Sequence, residues 1–207
     1  MRTLPISTAI VLIFSAFSSA ENGRPYVRIF DGKSFAGWEG NRKIFRIEDG
    51  AIVGGTLKES IPLNQFLCAT TEYDNFEMRL KVRAVGEGLN AGIQIRSRRV
   101  PDHHEMVGYQ ADVGSGWWGK LYDESRRRKV LAAPDDNELQ KVLKPDDWND
   151  YVIRCVGKRV QLWINGLRIV DYVEPDDDIE QNGFIGLQIH SGPPSEVWYK
   201  DIEIKEL

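Results

Sequence analysis

Hydrophobic and polar residues alternate along most of the chain, a pattern typical of β-strands with one buried face. In NFEMRLKVRAV (75–85), the alternation predicts that Phe76, Met78, Leu80 and Val82 share one face, with charged residues between them. Similar alternation occurs in AGIQIRS (91–97), GYQADVG (108–114), DYVIRCV (150–156), GFIGLQIHS (183–191) and EVWYKDIEIKEL (196–207). Helical periodicity is hard to find, so the pattern predicts an all-β protein.

Turn signals separate these segments at regular intervals. Asn165-Gly166 is the strongest of them, because both positions of a tight hairpin turn favour a positive φ angle. Short strands with frequent turns predict an antiparallel β-sandwich, specifically a jelly roll. Residues 132–147 lack alternation, which indicates a long loop with room for one helical turn.

Composition places the chain among soluble globular proteins of one domain. It has 207 residues, of which 42% are hydrophobic and 28% charged. The net charge of -4 argues against a nucleic-acid partner, because phosphate binding needs a basic excess. The basic run Arg126–Lys129 is flanked by acidic residues and is interpreted as a solvated loop.

The N-terminus has the pattern of a secretory signal peptide over residues 1–20. Arg2 precedes an apolar stretch from Ala9 to Phe17, and small residues end at Ala20. This predicts a domain over residues 21–207 in an exported protein, periplasmic or secreted. The apolar stretch is too short for a permanent membrane helix, so no integral membrane association is expected after its removal.

The chain has two cysteines, Cys68 and Cys155. In an exported protein they could form a disulfide, and two buried free thiols are the alternative. The sequence leaves both open.

Four predicted strands carry unusual residues at their outward positions. In place of ordinary Lys, Glu and Thr, these positions hold Gln94 and Arg96, Gln110 and Asp112, Lys120 and Tyr122, and Gln188 and His190. Amides, an imidazole and a phenol form directed hydrogen bonds. If these strands are neighbours, they form a polar floor on one face of a sheet, which is the chemistry of a sugar site.

Trp117 and Trp118 stand side by side between glycines, next to this predicted floor. On a two-layer sandwich, one ring would face the core and the other a ligand, where it would pack on the apolar C–H face of a sugar. The alternative is that both rings cover one end of the sandwich.

Several segments together resemble the 3-keto-disaccharide hydrolase domain family. They are FDGKSFAGW (30–38), FRIEDGAIVG (45–54), LNAGIQIRS (89–97), GYQADVG (108–114), GKLYDE (119–124) and GFIGLQIHSG (183–192). The resemblance implies a concanavalin-like jelly roll that cleaves 3-keto-glycosides by hydrolysis or elimination. Family members often have G-Y-E-x-Q, whereas this chain exchanges acid and amide at Gln110 and Asp112.

The chemistry implied by the resemblance assigns roles to the polar residues. A ketone at C3 acidifies the proton on C2, so the site needs a base, donors at the C3 oxygen and an acid for the leaving group. His190 or Asp112 would be the base, Arg96 and Lys120 would stabilise the enolate, and Tyr122 would protonate the leaving oxygen. Substrate hydroxyls would be held by Asn90, Gln94, Gln110 and Gln188, and either Trp117 or Trp118 would pack on the sugar ring.

Two further questions stay open from the sequence. No motif requires a cofactor, but a divalent metal stays possible because His103 and His104 share a loop with Asp102 and Glu105. A non-catalytic carbohydrate-binding module on the same fold is the competing function. The mixture of acid, base and cation on one predicted face favours an enzyme.

Overall fold

The computed structural model describes residues 24–207, which form two packed antiparallel β-sheets. The eight-stranded sheet contains β1 (Val27–Arg28), β3 (Phe45–Glu48), β4 (Ala51–Thr56), β6 (Phe76–Val85), β11 (Asn149–Val156), β12 (Arg159–Ile164), β13 (Leu167–Val173) and β15 (Ser195–Glu206). The seven-stranded sheet contains β2 (Trp38–Glu39), β5 (Gln65–Tyr73), β7 (Asn90–Arg99), β8 (Met106–Gly114), β9 (Leu121–Glu124), β10 (Val130–Ala132) and β14 (Gly183–Ile189). The predicted antiparallel β-sandwich is confirmed, whereas the predicted signal peptide lies outside the described residues.

Strand order decides which side chains meet. In the seven-stranded sheet the order is β10-β9-β8-β7-β14-β5-β2, so all four strands of the predicted polar floor, β9, β8, β7 and β14, are consecutive neighbours. The eight-stranded sheet runs β13-β12-β11-β6-β15-β4-β3, with β1 paired to β15. Its central strand β6 buries Phe76, Met78, Leu80 and Val82 in the core, as the alternation predicts.

Two local predictions also match the backbone. Asn165 and Gly166 join β12 to β13 with φ angles of 48° and 83°, as a tight hairpin requires. The segment 132–147 contains helix α1 (Asp136–Val142), longer than the single turn predicted, and the Asp135 carboxylate caps its first turn. Within residues 24–207, no helix is long and apolar enough to cross a membrane.

Cys68 and Cys155 are both free thiols and both buried. Cys155 lies in the core between the sheets, whereas Cys68 lies beside Met106 in a separate apolar cluster. The two cysteines therefore do not form a disulfide in this structure, and the alternative of two buried free thiols is confirmed.

The hairpin formed by the end of β7 and the start of β8 folds over the outer face of its own sheet, the face turned away from the eight-stranded sheet. Met106 Sδ lies 3.1 Å from Cys68 Sγ on β5, and the Arg99 guanidinium donates to the Glu39 carbonyl of β2 at 2.6 Å. Because β5 and β2 lie two and three strands away from β7, these contacts require the hairpin to cross the sheet. We call residues 98–107 the covering hairpin.

The bend that starts this hairpin is a β-bulge at Arg96. The β7–β8 register shifts between Ile95 and Arg98, and Arg96 has a φ angle of 49°. Its guanidinium is fully buried and donates to the Asp74 carbonyl at 2.8 Å and the Gly157 carbonyl at 2.6 Å, both in turns at one end of the sandwich. Arg96 therefore fixes the bend and does not face the polar floor.

The basic run after β9 is not the solvated loop that its composition suggests. Arg127 donates through both terminal nitrogens to the Glu174 carboxylate, at 2.9 and 2.6 Å, and Arg126 donates to Asp123 at 2.9 Å. The side chains of Asp123 and Glu174 are fully buried. The solvated-loop interpretation is wrong for these two arginines because the two carboxylates buried at this end of the sandwich need charged partners.

Candidate functional site

A cavity of about 270 Å³ opens on the outer face of the seven-stranded sheet, over β7, β8 and β9. Its lining residues combine amides, carboxylates, an imidazole and two aromatic rings, namely Asn90, Gln110, Asp112, Trp117, Tyr122, Glu124 and His190. It lies beside the covering hairpin, which occupies the face over β14, β5 and β2.

A chain of hydrogen bonds runs along the floor and ends at Asp112. The Gln94 amide donates to Gln110 Oε1 at 2.7 Å, and the Gln110 amide donates to Asp112 Oδ1 at 2.8 Å. The register pairs Gln94 with Gln110 and places Gly92 opposite Asp112. Because Gly92 has no side chain, Gln110 can lie flat over it and reach the carboxyl group.

Asp112 is held as a neutral carboxylic acid near neutral pH. Burial raises its pKa from the ordinary value of 3.8 to about 8, although the Gln110 hydrogen bond and the Lys120 cation act in the opposite direction. Since Gln110 donates to Oδ1, the acid proton belongs on Oδ2. That oxygen is buried and has no hydrogen-bond partner among the described residues, so it can donate to a bound molecule.

Other buried polar atoms near Asp112 are also unpartnered. Asn90 Oδ1 and both amide atoms of Gln188 have no hydrogen-bond partner within residues 24–207. Gln188 is paired with Gly92, which in turn is paired with Asp112, so the three positions form one row across the sheet. Buried polar groups rarely stay unpaired, and a cluster of them indicates a place for a polar ligand or ordered water.

His190 follows β14 and has a defined tautomer. Its Nδ1 lies 2.7 Å from the Ser191 carbonyl oxygen, which can only accept, so Nδ1 carries a proton. In the neutral ring, Nε2 then has a free lone pair and can act as a base. The His190 amide donates to the Asn90 carbonyl at 3.0 Å, which keeps the ring beside β7.

The two tryptophans have different environments. Trp118 is 8% exposed and packs in the core, so it does not line the cavity. Trp117 lines the cavity, edge-on to Tyr122 with ring centroids 5.9 Å apart. Gly116 and Gly119, with φ angles of 74° and 76°, form the tight turn that separates the two rings.

Four other residues predicted from the sequence to form the site do not line the cavity. Lys120 Nζ is 4.9 Å from the Trp117 ring centroid but lines a neighbouring groove. Gln94 and Gln188 are buried in the floor beneath the cavity. Arg96 is excluded from the site, because the bulge breaks the two-residue alternation and turns its side chain toward the end of the sandwich.

Residues 25–205 match the family described as the 3-keto-alpha-glucoside-1,2-lyase-like domain. The chain belongs to this family. A search of curated proteins found no match. The 3-keto-glucoside lyase-like fold positions the cavity on the outer face of one sheet, where His190, Asp112 and Trp117 come from three different segments.

Solved structures share this fold at low sequence identity. A candidate glycosyl hydrolase from Parabacteroides distasonis ATCC 8503 has a TM-score of 0.67 and 20% identity, covering 88% of this chain and 94% of that one. Carbohydrate-binding module CBM66 from Bacillus subtilis has a TM-score of 0.63 and 12% identity, covering 82% and 96%. SCLam, a family GH16 endo-beta-1,3(4)-glucanase, has a TM-score of 0.57 and 9% identity, covering 88% and 92%. These matches establish the concanavalin-like architecture of the 3-keto-glucoside lyase-like chain.

One carboxylate that lines the cavity and another close to it were not expected from the sequence. Glu124 lines the cavity, and burial together with the nearby Glu105 carboxylate raises its pKa. The alternation from Lys120 through Tyr122 predicts an outward Glu124, so the signal was present. Glu105 directly precedes β8 in the covering hairpin and accepts from the Asn64 amide at 3.0 Å, and no sequence pattern indicates that contact.

His103 and His104 lie in the loop between β7 and β8. The rings of His103 and His104 stack on each other with centroids 4.3 Å apart. Across residues 24–207, no group of three or more His, Cys, Asp or Glu side chains is arranged to hold a metal ion.

Proposed function

We propose that this chain is an enzyme that cleaves 3-keto-glycosides by β-elimination, with His190 as the base and Asp112 as the acid. The observation that carries the proposal is the pairing of the two groups in one cavity. Asp112 is a neutral acid with a pKa of about 8 and a free Oδ2, and His190 has its basic nitrogen available. A site with one proton donor and one proton acceptor fits elimination.

These two groups supply both proton transfers of the elimination. His190 Nε2 removes the proton from C2, and the electron pair of that C–H bond forms an enolate with the C3 carbonyl. The enolate then re-forms the carbonyl as the C1–oxygen bond breaks, and Asp112 transfers its proton to the departing oxygen. The products are an alcohol and an unsaturated 3-ketone, and addition of water at C1 would give net hydrolysis.

Neighbouring groups support binding of the sugar and of the enolate charge. Tyr122 and Asn90 line the cavity and offer neutral hydrogen-bond donors, and Lys120 supplies a positive charge behind Trp117. The Trp117 ring provides a flat apolar surface for the C–H groups of the sugar. Glu124 is a second carboxyl group in the cavity, and burial together with the nearby Glu105 carboxylate raises its pKa.

We further propose that the protein acts outside the cytoplasm, since residues 1–20 have the signal-peptide pattern. Expression of the full chain in a bacterium, followed by fractionation and mass measurement, tests this. Recovery of a chain starting at Glu21 outside the cytoplasm supports export, and an intact cytoplasmic chain contradicts it.

The function is tested by incubating the purified protein with a 3-keto-disaccharide and with its unoxidised parent, with product analysis by mass spectrometry. Cleavage of the keto sugar alone, with an unsaturated ketone as a product, is the expected result. Cleavage of both sugars would indicate an ordinary glycosidase mechanism. Saturable binding without turnover would indicate a carbohydrate-binding module.

Replacing Gly92 with alanine is expected to reduce kcat for the keto sugar about ten- to a hundred-fold. A β-carbon at this position would lie 2.6 Å from Gln110 Cγ, so Gln110 must leave its place and its bond to Asp112 breaks. Gln110→Ala should give a similar loss, and the double variant little more, because both changes remove the same contact. Unchanged kcat in Gly92→Ala would show that the amide chain does not orient Asp112.

A further inference from the structure

Asn64 lies between the covering hairpin and the turn that carries His190, and its side-chain amide bonds to both. Its Oδ1 accepts from the Ser191 backbone amide at 3.0 Å, and its Nδ2 donates to Glu105 Oε1 at 3.0 Å. We propose that Asn64 is a positioning residue, which fixes the tautomer of His190 by holding the peptide unit between His190 and Ser191. The role rests on the proposed function, in which His190 Nε2 is the base.

Two backbone hydrogen bonds bring Asn64 next to this turn. Ile61 and Gly192 donate their amides to each other's carbonyls, both at 2.9 Å. Ile61 is buried, and Asn64 lies between it and the start of β5. The backbone bridge does not involve the Asn64 side chain, so a change of that side chain should leave the two segments side by side.

Glu105 determines which way round the Asn64 amide lies. A carboxylate oxygen can only accept, so it bonds to the NH2 end of the amide. The oxygen end is then turned to the backbone N–H of Ser191, which can only donate. Both ends of the amide therefore meet complementary partners, and the opposite orientation would place acceptor against acceptor and donor against donor.

The peptide unit between His190 and Ser191 links Asn64 to the imidazole ring. Its N–H donates to Asn64, and the ring and its acceptor lie on either side of it, with Nδ1 2.7 Å from the Ser191 carbonyl oxygen. That carbonyl belongs to the next peptide unit, which is held by the bond from the Gly192 amide to the Ile61 carbonyl. Rotation of the first unit would therefore move the ring away from its acceptor.

The Ser191 hydroxyl group is the partner that would change the tautomer. Its Oγ lies 3.4 Å from His190 Nδ1, and a hydroxyl group can donate as well as accept. Once the carbonyl contact is lost, this hydroxyl can donate to Nδ1, and the ring proton then belongs on Nε2. The nitrogen proposed as the base would have no lone pair for the proton on C2.

The test combines the nitrogen chemical shifts of the His190 ring with kinetics on a 3-keto-disaccharide. NMR at about pH 8, where an ordinary imidazole is neutral, distinguishes the two tautomers. The protein has three histidines, and the spectrum of His190→Gln identifies the signals of this ring. Asn64→Ala is expected to show a second tautomer with the proton on Nε2. Its kcat should fall about ten-fold, whereas KM should change less than about two-fold, because the residues that line the cavity are unchanged.

Two further comparisons separate orientation from general effects of substitution. Asn64→Asp places a carboxylate against Glu105, so its kcat should fall as in Asn64→Ala. Asn64→Asp/Glu105→Gln restores a donor and an acceptor at this contact, and its kcat should recover to within about two-fold of Glu105→Gln alone. Asn41→Ala is the matched control, because Asn41 accepts from the Lys43 amide at 3.0 Å and donates to Gln65 at 3.4 Å. This variant should behave as wild type.

An unchanged tautomer in Asn64→Ala would overturn the proposal, because a loss of kcat without it would reflect a structural role only. A failure of Asn64→Asp/Glu105→Gln to recover would overturn it as well, and so would an effect of Asn41→Ala as large as that of Asn64→Ala. If wild-type protein converts no keto sugar but Asn64→Ala still changes the tautomer, the proposed function fails and the positioning of His190 by Asn64 stands.

Discussion

Replacement of Asp112 by asparagine should lower kcat for the keto-glycoside about a thousand-fold and, at the same time, stabilise the folded protein. Asparagine keeps the shape of the carboxyl group but cannot donate a proton to the leaving oxygen. The wild-type rate should also fall as the pH rises through about 8, because Asp112 then loses the proton that it must donate. This basic limb should be absent from the residual activity of Asp112→Asn.

The gain in stability follows from the direction of the pKa shift. The folded-state pKa of Asp112, about 8, lies above the value of about 4 expected in the unfolded chain. Folding therefore favours the protonated form. The contribution of this group to stability is fully present below about pH 4 and is lost as the pH rises to about 8. Asparagine does not ionise, so Asp112→Asn should be more stable above pH 8, by an amount on the order of 5 kcal/mol.

Denaturant unfolding at pH 5 and pH 9, with kcat measured on the same preparations, checks both effects. His190→Gln is the matched control, since it should lose activity without removing the pH dependence of stability that Asp112 causes. Retention of more than a tenth of the wild-type kcat in Asp112→Asn would remove Asp112 as the acid. Equal stability of this variant and wild type at pH 9 would show that burial does not hold the carboxyl group neutral.

Replacement of Arg127 by alanine should cost about 3 kcal/mol of unfolding free energy. Arg127 donates twice to Glu174 and also contacts Asp123, and both carboxylates are fully buried. Removing the guanidinium leaves buried negative charge with fewer partners. Urea denaturation at pH 7 measures the loss, and Arg159→Ala is the control because its pair with Asp171 is largely exposed and should change stability little.

The same ion pairs predict how wild-type stability changes in acid. Burial alone would raise the pKa of Glu174, but the hydrogen bonds from Arg127 and Tyr109 outweigh it and lower the pKa to about 2. A lowered folded-state pKa means that the contribution of Glu174 to stability is present above about pH 4.5 and is lost as the pH falls through about 2. Arg127→Ala should show a weaker acid dependence over this range. Equal losses in Arg127→Ala and Arg159→Ala would contradict the role given to the buried ion pairs.

The acid at the centre of the site is itself a source of instability. Asp112 is buried without a charged hydrogen-bond partner, in contrast to Glu174, which is buried and held by Arg127. Sequence cannot distinguish the two residues, because both are carboxylates next to apolar neighbours. The difference is one of function: a paired carboxylate stays ionised and supports the fold, whereas an unpaired one becomes neutral and can donate a proton.

The sandwich and most of the polar floor follow from the order of residues along the chain. Side chains alternate between the two faces of any strand. The inward side chains of β6 and the outward positions of Gln94, Gln110 and Asp112 therefore follow from the residue order of each strand. Asn165-Gly166 specified its hairpin for the same reason, since a turn with two positive φ angles is a local requirement. The alternation of hydrophobic and polar residues was enough to identify these strands.

Which of these residues share a cavity depends on how the folded segments pack against one another. Alternation fails across a bulge, so Arg96 was assigned to the floor although it holds the bend of the covering hairpin. The hairpin itself joins Glu105 to Asn64, residues 41 apart in sequence, and Arg127 finds Glu174 at a separation of 47. Such contacts depend on how distant segments fold over one another. The burial that keeps Asp112 neutral and the Arg127 contact that keeps Glu174 ionised are properties of the packed chain and not of its residue order.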